Sequence, residues 1–272
     1  MEFLNIINDL QDATIKNAEV KNIKQEEYKF DKLKMYFGED LKYKNITISI
    51  PTIGDILEIG EETFFNSLSP FLYNSTSIRV MLWDNGLDWT KIRDIEVFEI
   101  MRHRIKDMSG LKLVFKHDDF SAYKLMATAQ ENDNNSSELF LYNTENGSIL
   151  TEADFMYIAK YIREMLDMHP KVEKAKGKTA KLWIIQEDKM NLSLKEEKNN
   201  STLLPLVSSC VNHPGFKYKT SELKDIGIYQ FMDSARRIQK YEIGISALRG
   251  CYSGFVDSSK IDKDLLNFMG DI

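Results

Sequence analysis

The chain of 272 residues carries four histidines and two cysteines, and few of its side chains have types and spacing that suit chemistry. His117-Asp118-Asp119 sets three possible metal ligands in a row, the set a metal-dependent nuclease or hydrolase would need. Adjacent side chains diverge, however, and no distant His or Cys stands at ligand-pair spacing. His103 lies between Arg102 and Arg104, charges that favour a neutral ring. A surface histidine at a helix end is the simpler reading. Cys210 and His213 are separated by one helical turn, as a thiol and its base would be. No orienting acid is evident and Cys210 sits in an apolar run, so a buried structural thiol is expected. His169 and His213 precede Pro170 and Pro214, as residues that end elements do.

Gly250-Cys251-Tyr252-Ser253-Gly254 holds its serine one place too late for a Gly-x-Ser-x-Gly elbow, so its glycines are expected to permit a tight corner between helices. Gln186-Glu187-Asp188-Lys189 has the acid pair beside lysine of metal nucleases, but on a predicted helix where those enzymes use a strand. No Walker loop, GxGxxG, HExxH or EF-hand pattern occurs. No catalytic residue, metal ligand set or cofactor follows from these motifs.

Composition narrows the class. Hydrophobic residues are 43% and charged residues 29% of the chain, the balance of a folded globular protein. Net charge is −6, and 28 of the 36 basic residues are lysines, which argues against a nucleic-acid-binding groove. No apolar run approaches the roughly 20 residues of a membrane helix. Met1 to Leu10 lacks the basic start of a secretion signal. Two cysteines far apart point to free thiols in a reducing compartment.

The pattern of elements predicts a helix-rich α+β fold with a small antiparallel sheet and a C-terminal helical region. Residues 1–44 read as a short amphipathic helix, with Phe3, Ile7 and Leu10 on one face, followed by a mobile or partner-dependent arm without a clean period. Residues 45–170 read as a mixed core. Ile46, Ile48 and Ile50 alternate as in a strand. Phe65, Leu68, Phe71 and Leu72 share a helical face, and Asn85-Gly86 ends the next helix. Thr90 is the expected cap of a helix carrying Ile92, Ile95, Phe98, Met101 and Ile105. Leu111–Lys116, Phe120–Thr128 and Leu139–Tyr142 are expected strands, the last joined to Ser148-Ile149-Leu150 through Asn146-Gly147. Glu131 to Ser137 is a polar loop. Thr151 with Asp154 predicts a capped helix over 152–168. Residues 171–199 form a Lys-rich linker, five lysines against one Glu in 171–181, and a helix from about 181 with a ragged apolar face. Residues 200–272 contain helices near 201–212, 222–242 and 261–268, the middle one striped by Ile228, Phe231, Met232, Ala235 and Ile238. Asp257 or Ser258 is the expected cap of the last.

The aromatic residues offer an alternative to chemistry. Trp83 and Trp89 stand either side of a turn, and Trp is enriched in interface cores because it removes a large area from water with few rotors. They serve either as a local core or as a docking surface.

Two segments resemble proteins of the tail-morphogenesis modules of phages and prophages of low-GC Gram-positive bacteria. One runs from Ile50-Pro51-Thr52-Ile53-Gly54-Asp55 through Arg79-Val80-Met81-Leu82-Trp83-Asp84-Asn85-Gly86-Leu87-Asp88-Trp89 to Phe98. The other is Phe231-Met232-Asp233-Ser234-Ala235-Arg236-Arg237-Ile238, with Gly250-Cys251-Tyr252-Ser253-Gly254-Phe255 and Leu265 to Met269. The resemblance covers about half of the chain and implies a non-enzymatic place in virion assembly. The chain would be an assembly chaperone or minor subunit of tail, neck or baseplate, found in the host cytoplasm or the particle. Its partners would be other virion proteins or copies of itself, with no nucleic acid and no membrane. Trp83, Trp89, Tyr252 and Phe255 would be the docking side chains. The rivals are the metal-dependent enzyme on strands 111–150 and a regulator that binds a host protein.

Overall fold

Two Thr-x-x-Asp boxes start helices at the centre of the molecule. Thr52 Oγ1 accepts the Asp55 N–H at 3.1 Å while the Asp55 carboxylate accepts the Thr52 N–H at 2.8 Å. Thr151 and Asp154 repeat the exchange at 3.3 and 2.9 Å. Each box satisfies donors that a helix start otherwise leaves orphaned.

The computed structural model describes residues 29–116, 118–128, 138–194, 201–257, 259, 261–267 and 269–270. Among them α1 (Lys32–Tyr36) leads into an antiparallel hairpin of β1 (Leu41–Tyr43) and β2 (Ile46–Ile48). Five helices follow: α2 (Ile53–Ile59), α3 (Glu61–Leu72), α4 (Arg79–Asp84), α5 (Asp94–Arg102) and α6 (Ser109–Phe115). Next, β3 (Tyr123–Ala127), β4 (Leu139–Asn143) and β5 (Ile149–Thr151) form an antiparallel sheet in that order. The chain then runs through α7 (Glu152–Met165), α8 (Lys178–Leu194), α9 (Leu203–Asn212), α10 (Ile228–Tyr252) and α11 (Lys263–Leu266). The fold is the expected helix-rich α+β class, with two small antiparallel sheets.

The main core forms around Phe71 of α3. Its ring lies 5.1 to 5.8 Å from those of Phe98, Phe115, Phe120 and Phe155, drawn from four different segments. Burying these rings together removes a large apolar area from water. Arg163 of α7 pins this assembly. Its guanidinium donates to the Phe71 and Tyr73 carbonyls at 2.8 and 3.0 Å and to Asp94 at 3.0 Å. One buried cation thereby satisfies the C-terminal carbonyls of α3 and the N-terminal acid of α5. A second, smaller core gathers Leu82, Leu87, Trp89, Ile92, Val97, Ile100 and Ile185.

Several expectations need correction. Leu111–Phe115 is helical and not a strand, with Lys116 as the C-cap of α6. Leu111, Leu113 and Phe115 alternate, but Leu111, Val114 and Phe115 are the side chains that pack inward, at helical spacing. The helix is fixed by tertiary approach: a Cβ on Gly110 would stand 2.1 Å from Ser67 Oγ, so only glycine lets α6 lie on α3. The strand expected from Phe120 begins at Tyr123, after a 3₁₀ turn over Phe120–Ala122. Thr90 does not cap α5. Asp88 starts a 3₁₀ turn over Trp89–Lys91, and α5 begins at Asp94, where Glu96 accepts the Arg93 N–H at 2.7 Å. In α3 Phe65 packs half-buried on the same core as Leu68, Phe71 and Leu72, and Phe64 beside it is fully buried.

Residues 31–43, read as part of a loose arm, join the folded body. Met35 is buried in the main core, and the Tyr43 hydroxyl donates to Asp154 at 2.6 Å. Their anchors are spaced by tertiary docking instead of a helical or strand period. The helix over 1–18 and the loop 131–137 lie outside the described residues. The last long helix starts at Ile228 and continues to Tyr252, ten residues beyond the expected end at 242. Asp262 is the cap of α11; Asp257 instead accepts the Ser259 N–H at 3.0 Å, and Ser258 lies outside the described residues.

Candidate docking surface

The titratable side chains singled out in the sequence are engaged in local structure. Asp119 accepts the Ser121 hydroxyl and N–H, which hold its carboxyl below the usual range, and it thereby caps the 3₁₀ turn; His117 lies outside the described residues. His103 Nε2 lies 2.9 Å from Glu99 Oε1, next to the Glu99–Arg102 ion pair on the same helix end. Asp188 is taken by Arg79, with one contact of 2.8 Å. Cys210 is buried, and burial raises its thiol away from the reactive thiolate. His213 has an acid that the sequence did not reveal, Glu242, 3.0 Å from Nε2. Its Nδ1 accepts the Gly215 N–H at 3.0 Å, so Nε2 carries the proton toward Glu242. Both ring nitrogens are used in holding the Pro214-Gly215 turn against α10. Among the described residues no three His, Cys, Asp or Glu side chains are grouped as a metal site.

The two tryptophans either side of the turn have different roles. Trp89 is 1% exposed in the second core, which removes it from any docking surface. Trp83 is half-buried and packs edge-on against it, with ring centroids 5.7 Å apart. Lys181 closes over Trp89 and donates to Thr90 Oγ1 at 2.8 Å and to Asp88. Burial pushes the Asp88 carboxyl up, but the donors from Lys181 and Thr90 outweigh it and leave it below the usual value.

Helix α8 is held on this core by few anchors. Ile185 is its one buried side chain among the described residues, flanked by the Asp188–Arg79 and Lys189–Asp84 pairs. The Arg79 guanidinium bonds Asp188 and Glu173, contacts that raise its pKa against the opposing effect of burial. Trp183, Met190 and Leu194 occupy the outward face, with Trp183 at 69% exposure. Leu182-Trp183-Ile184-Ile185 is a core-sized apolar run, which hides Trp183 as a surface residue. Four consecutive apolar residues cannot all face one side of a helix, and that signal was in the sequence.

The other apolar exposure lies at the C-terminal end. Beyond Met232, Gly244 is the one buried position of α10. The following chain folds back along the helix. Val256 sits against Gly250, where an added Cβ would be 2.7 Å from its Cγ2. The Leu265 carbonyl lies close to Gly244, and the Gly270 carbonyl accepts from Arg237 at 2.9 Å. Gly254, at φ +78°, makes the reversal that the glycine pair led us to expect. The reversal leaves Tyr252 and Phe255 86% and 90% exposed at the tip.

Compared with known proteins, the chain significantly matches no family model, no curated protein and no solved structure. Among the described residues no helix is long and apolar enough to cross a membrane.

Proposed function

We propose that this chain is a docking protein of phage tail assembly, a chaperone or minor subunit that acts through apolar contact and without catalysis. The observation that carries the reading is the tip of α10, where Tyr252 and Phe255 are held almost fully in water on a hydrogen-bonded reversal. Large rings on an ordered frame lose little conformational freedom on association, and they are the residues that dominate interface energies. The membership in tail assembly rests on the resemblance of the segments around Trp83-Asp84-Asn85-Gly86 and Phe231-Met232-Asp233-Ser234 to tail-module proteins. Trp83 is half-exposed away from this tip, and Trp89 belongs to the core beneath Trp83.

Hot-spot aromatics contribute about 2 kcal/mol each, so losing either is worth roughly 30-fold in Kd. The test is co-purification from cells assembling phage, with tagged wild type against Tyr252→Ser plus Phe255→Ser. The double variant should melt with the wild type, because both side chains are exposed, and should lose the tail proteins that the wild type retains. Retention of those proteins by the folded variant, or capture of host proteins alone by the wild type, contradicts the proposal.

A further inference from the structure

A second surface, separate from the α10 tip, lies where the Asn85-Gly86 turn meets the start of α8. Trp83, Gly86, Leu87 and Asp88 face Gly177, Lys178 and Lys181 across an open recess of about 390 Å³. That volume is within the range of ligand clefts, and its apolar walls are Trp83 and Leu87. Lys181 is neutralised by Asp88, and Glu173, the one acid of residues 171–181, is held by Arg79. The remaining charge is therefore uncompensated. Lys171, Lys174, Lys176 and Lys178 are exposed and form no ion pair among the described residues. They are strung along a coil and the first turn of α8, at most about 25 Å of chain, leading to the mouth of the recess. In a chain of net charge −6 this is a local reversal of sign.

We infer that the recess takes one large apolar side chain from an acidic, extended segment of a partner protein, whose carboxylates lie along Lys171–Lys178. A single phosphate would need donors converging on one point, whereas these charges are spaced along the chain as an extended acidic peptide spaces its own. Lysines also suit carboxylates that stay partly hydrated, where Arg is the usual choice for planar bidentate capture. Such complementarity speeds encounter and selects the partner, while the buried anchor supplies the affinity.

The test uses the full chain and a fluorescein-labelled peptide of glutamates and aspartates around one central phenylalanine, followed by anisotropy at low salt. The peptide should bind, and Lys174→Glu with Lys176→Glu should weaken it about ten-fold or more. Replacing the central phenylalanine by serine, or Trp83→Ala in the protein, should weaken it by a similar factor. Equal binding of the serine peptide overturns the apolar anchor, and equal binding of a polylysine version overturns the charge reading. Tighter binding of single-stranded DNA assigns the surface to nucleic acid instead. Wild-type self-association that the lysine variants abolish assigns it to a second copy. Absence of peptide binding ends the proposal. Tyr252→Ser plus Phe255→Ser should leave the anisotropy unchanged, so failure of either docking surface is read separately.

Discussion

Replacing Trp89 by alanine separates its two possible roles, core residue or docking anchor. The ring is 1% exposed and contacts the smaller core of Leu82, Leu87, Ile92, Val97, Ile100 and Ile185. A Trp→Ala change in such a setting costs about 3–5 kcal/mol in transfer and cavity terms. Part of that is returned, because the indole N–H is buried without an acceptor among the described residues, a penalty of roughly 1–3 kcal/mol. The expected loss is therefore about 2 kcal/mol. Half-buried Trp83→Ala should lose about 1 kcal/mol. Trp89→Phe keeps most of the apolar ring and removes the orphaned donor, so it should stay within about 1 kcal/mol of wild type. Urea unfolding followed by far-UV circular dichroism gives all three values. Trp89→Ala within about 0.5 kcal/mol of wild type would refute the burial argument and return Trp89 to the candidate surface.

Three further outcomes follow from charge and packing. Burial raises the Glu96 carboxyl above its ordinary range, more than the Arg93 N–H and charge lower it. Its ionisation therefore takes stability away as pH rises past about 4.5. Glu96→Gln keeps the acceptor for the Arg93 N–H, so it should gain about 1 kcal/mol at neutral pH and lose that gain on acidification, read as the difference between two melting curves. Asp154 has the opposite sign: burial pushes it up, but donors from Lys44, Tyr43 and Thr151 outweigh that and hold it low. Its stabilisation is present above the ordinary value of 3.8 and fades as pH falls through the depressed one. Asp154→Asn should cost about 2 kcal/mol at neutral pH and little at strongly acid pH in the same assay. Gly110→Ala drives a Cβ into Ser67 Oγ and should destabilise by about 1–3 kcal/mol; adding Ser67→Ala should recover part of this in a double-mutant cycle.

Much of the fold was legible where local chemistry sufficed. The Thr151–Asp154 box, the alternation of Ile46 and Ile48, and the Asn146-Gly147 hairpin are each written within a few residues, and each stands in the structure. The stripe Ile228, Phe231 and Met232 likewise packs as its spacing requires. Failures came where distant contacts decide. The alternation in Leu111–Phe115 is overridden by the approach of α6 to α3, and α1, which carries the buried Met35, packs against α10 from the far end of the chain. The candidate surface was partly legible. The glycines of 250–254 marked the reversal that presents Tyr252 and Phe255. Sequence spacing could not show that Trp89 turns inward while Trp83 stays at the rim. Nor could it pair His213 with Glu242, which is 29 residues away.

The central claim, that the tip of α10 meets a tail protein, is tested most directly by photo-crosslinking. p-Benzoylphenylalanine is placed at Phe255, and as a control at the exposed Leu57 of α2, in cells assembling phage. The account predicts a crosslink from position 255 to one tail protein, identified by mass spectrometry, and none to that protein from position 57. No crosslink from 255, or the same crosslink from both positions, would contradict it.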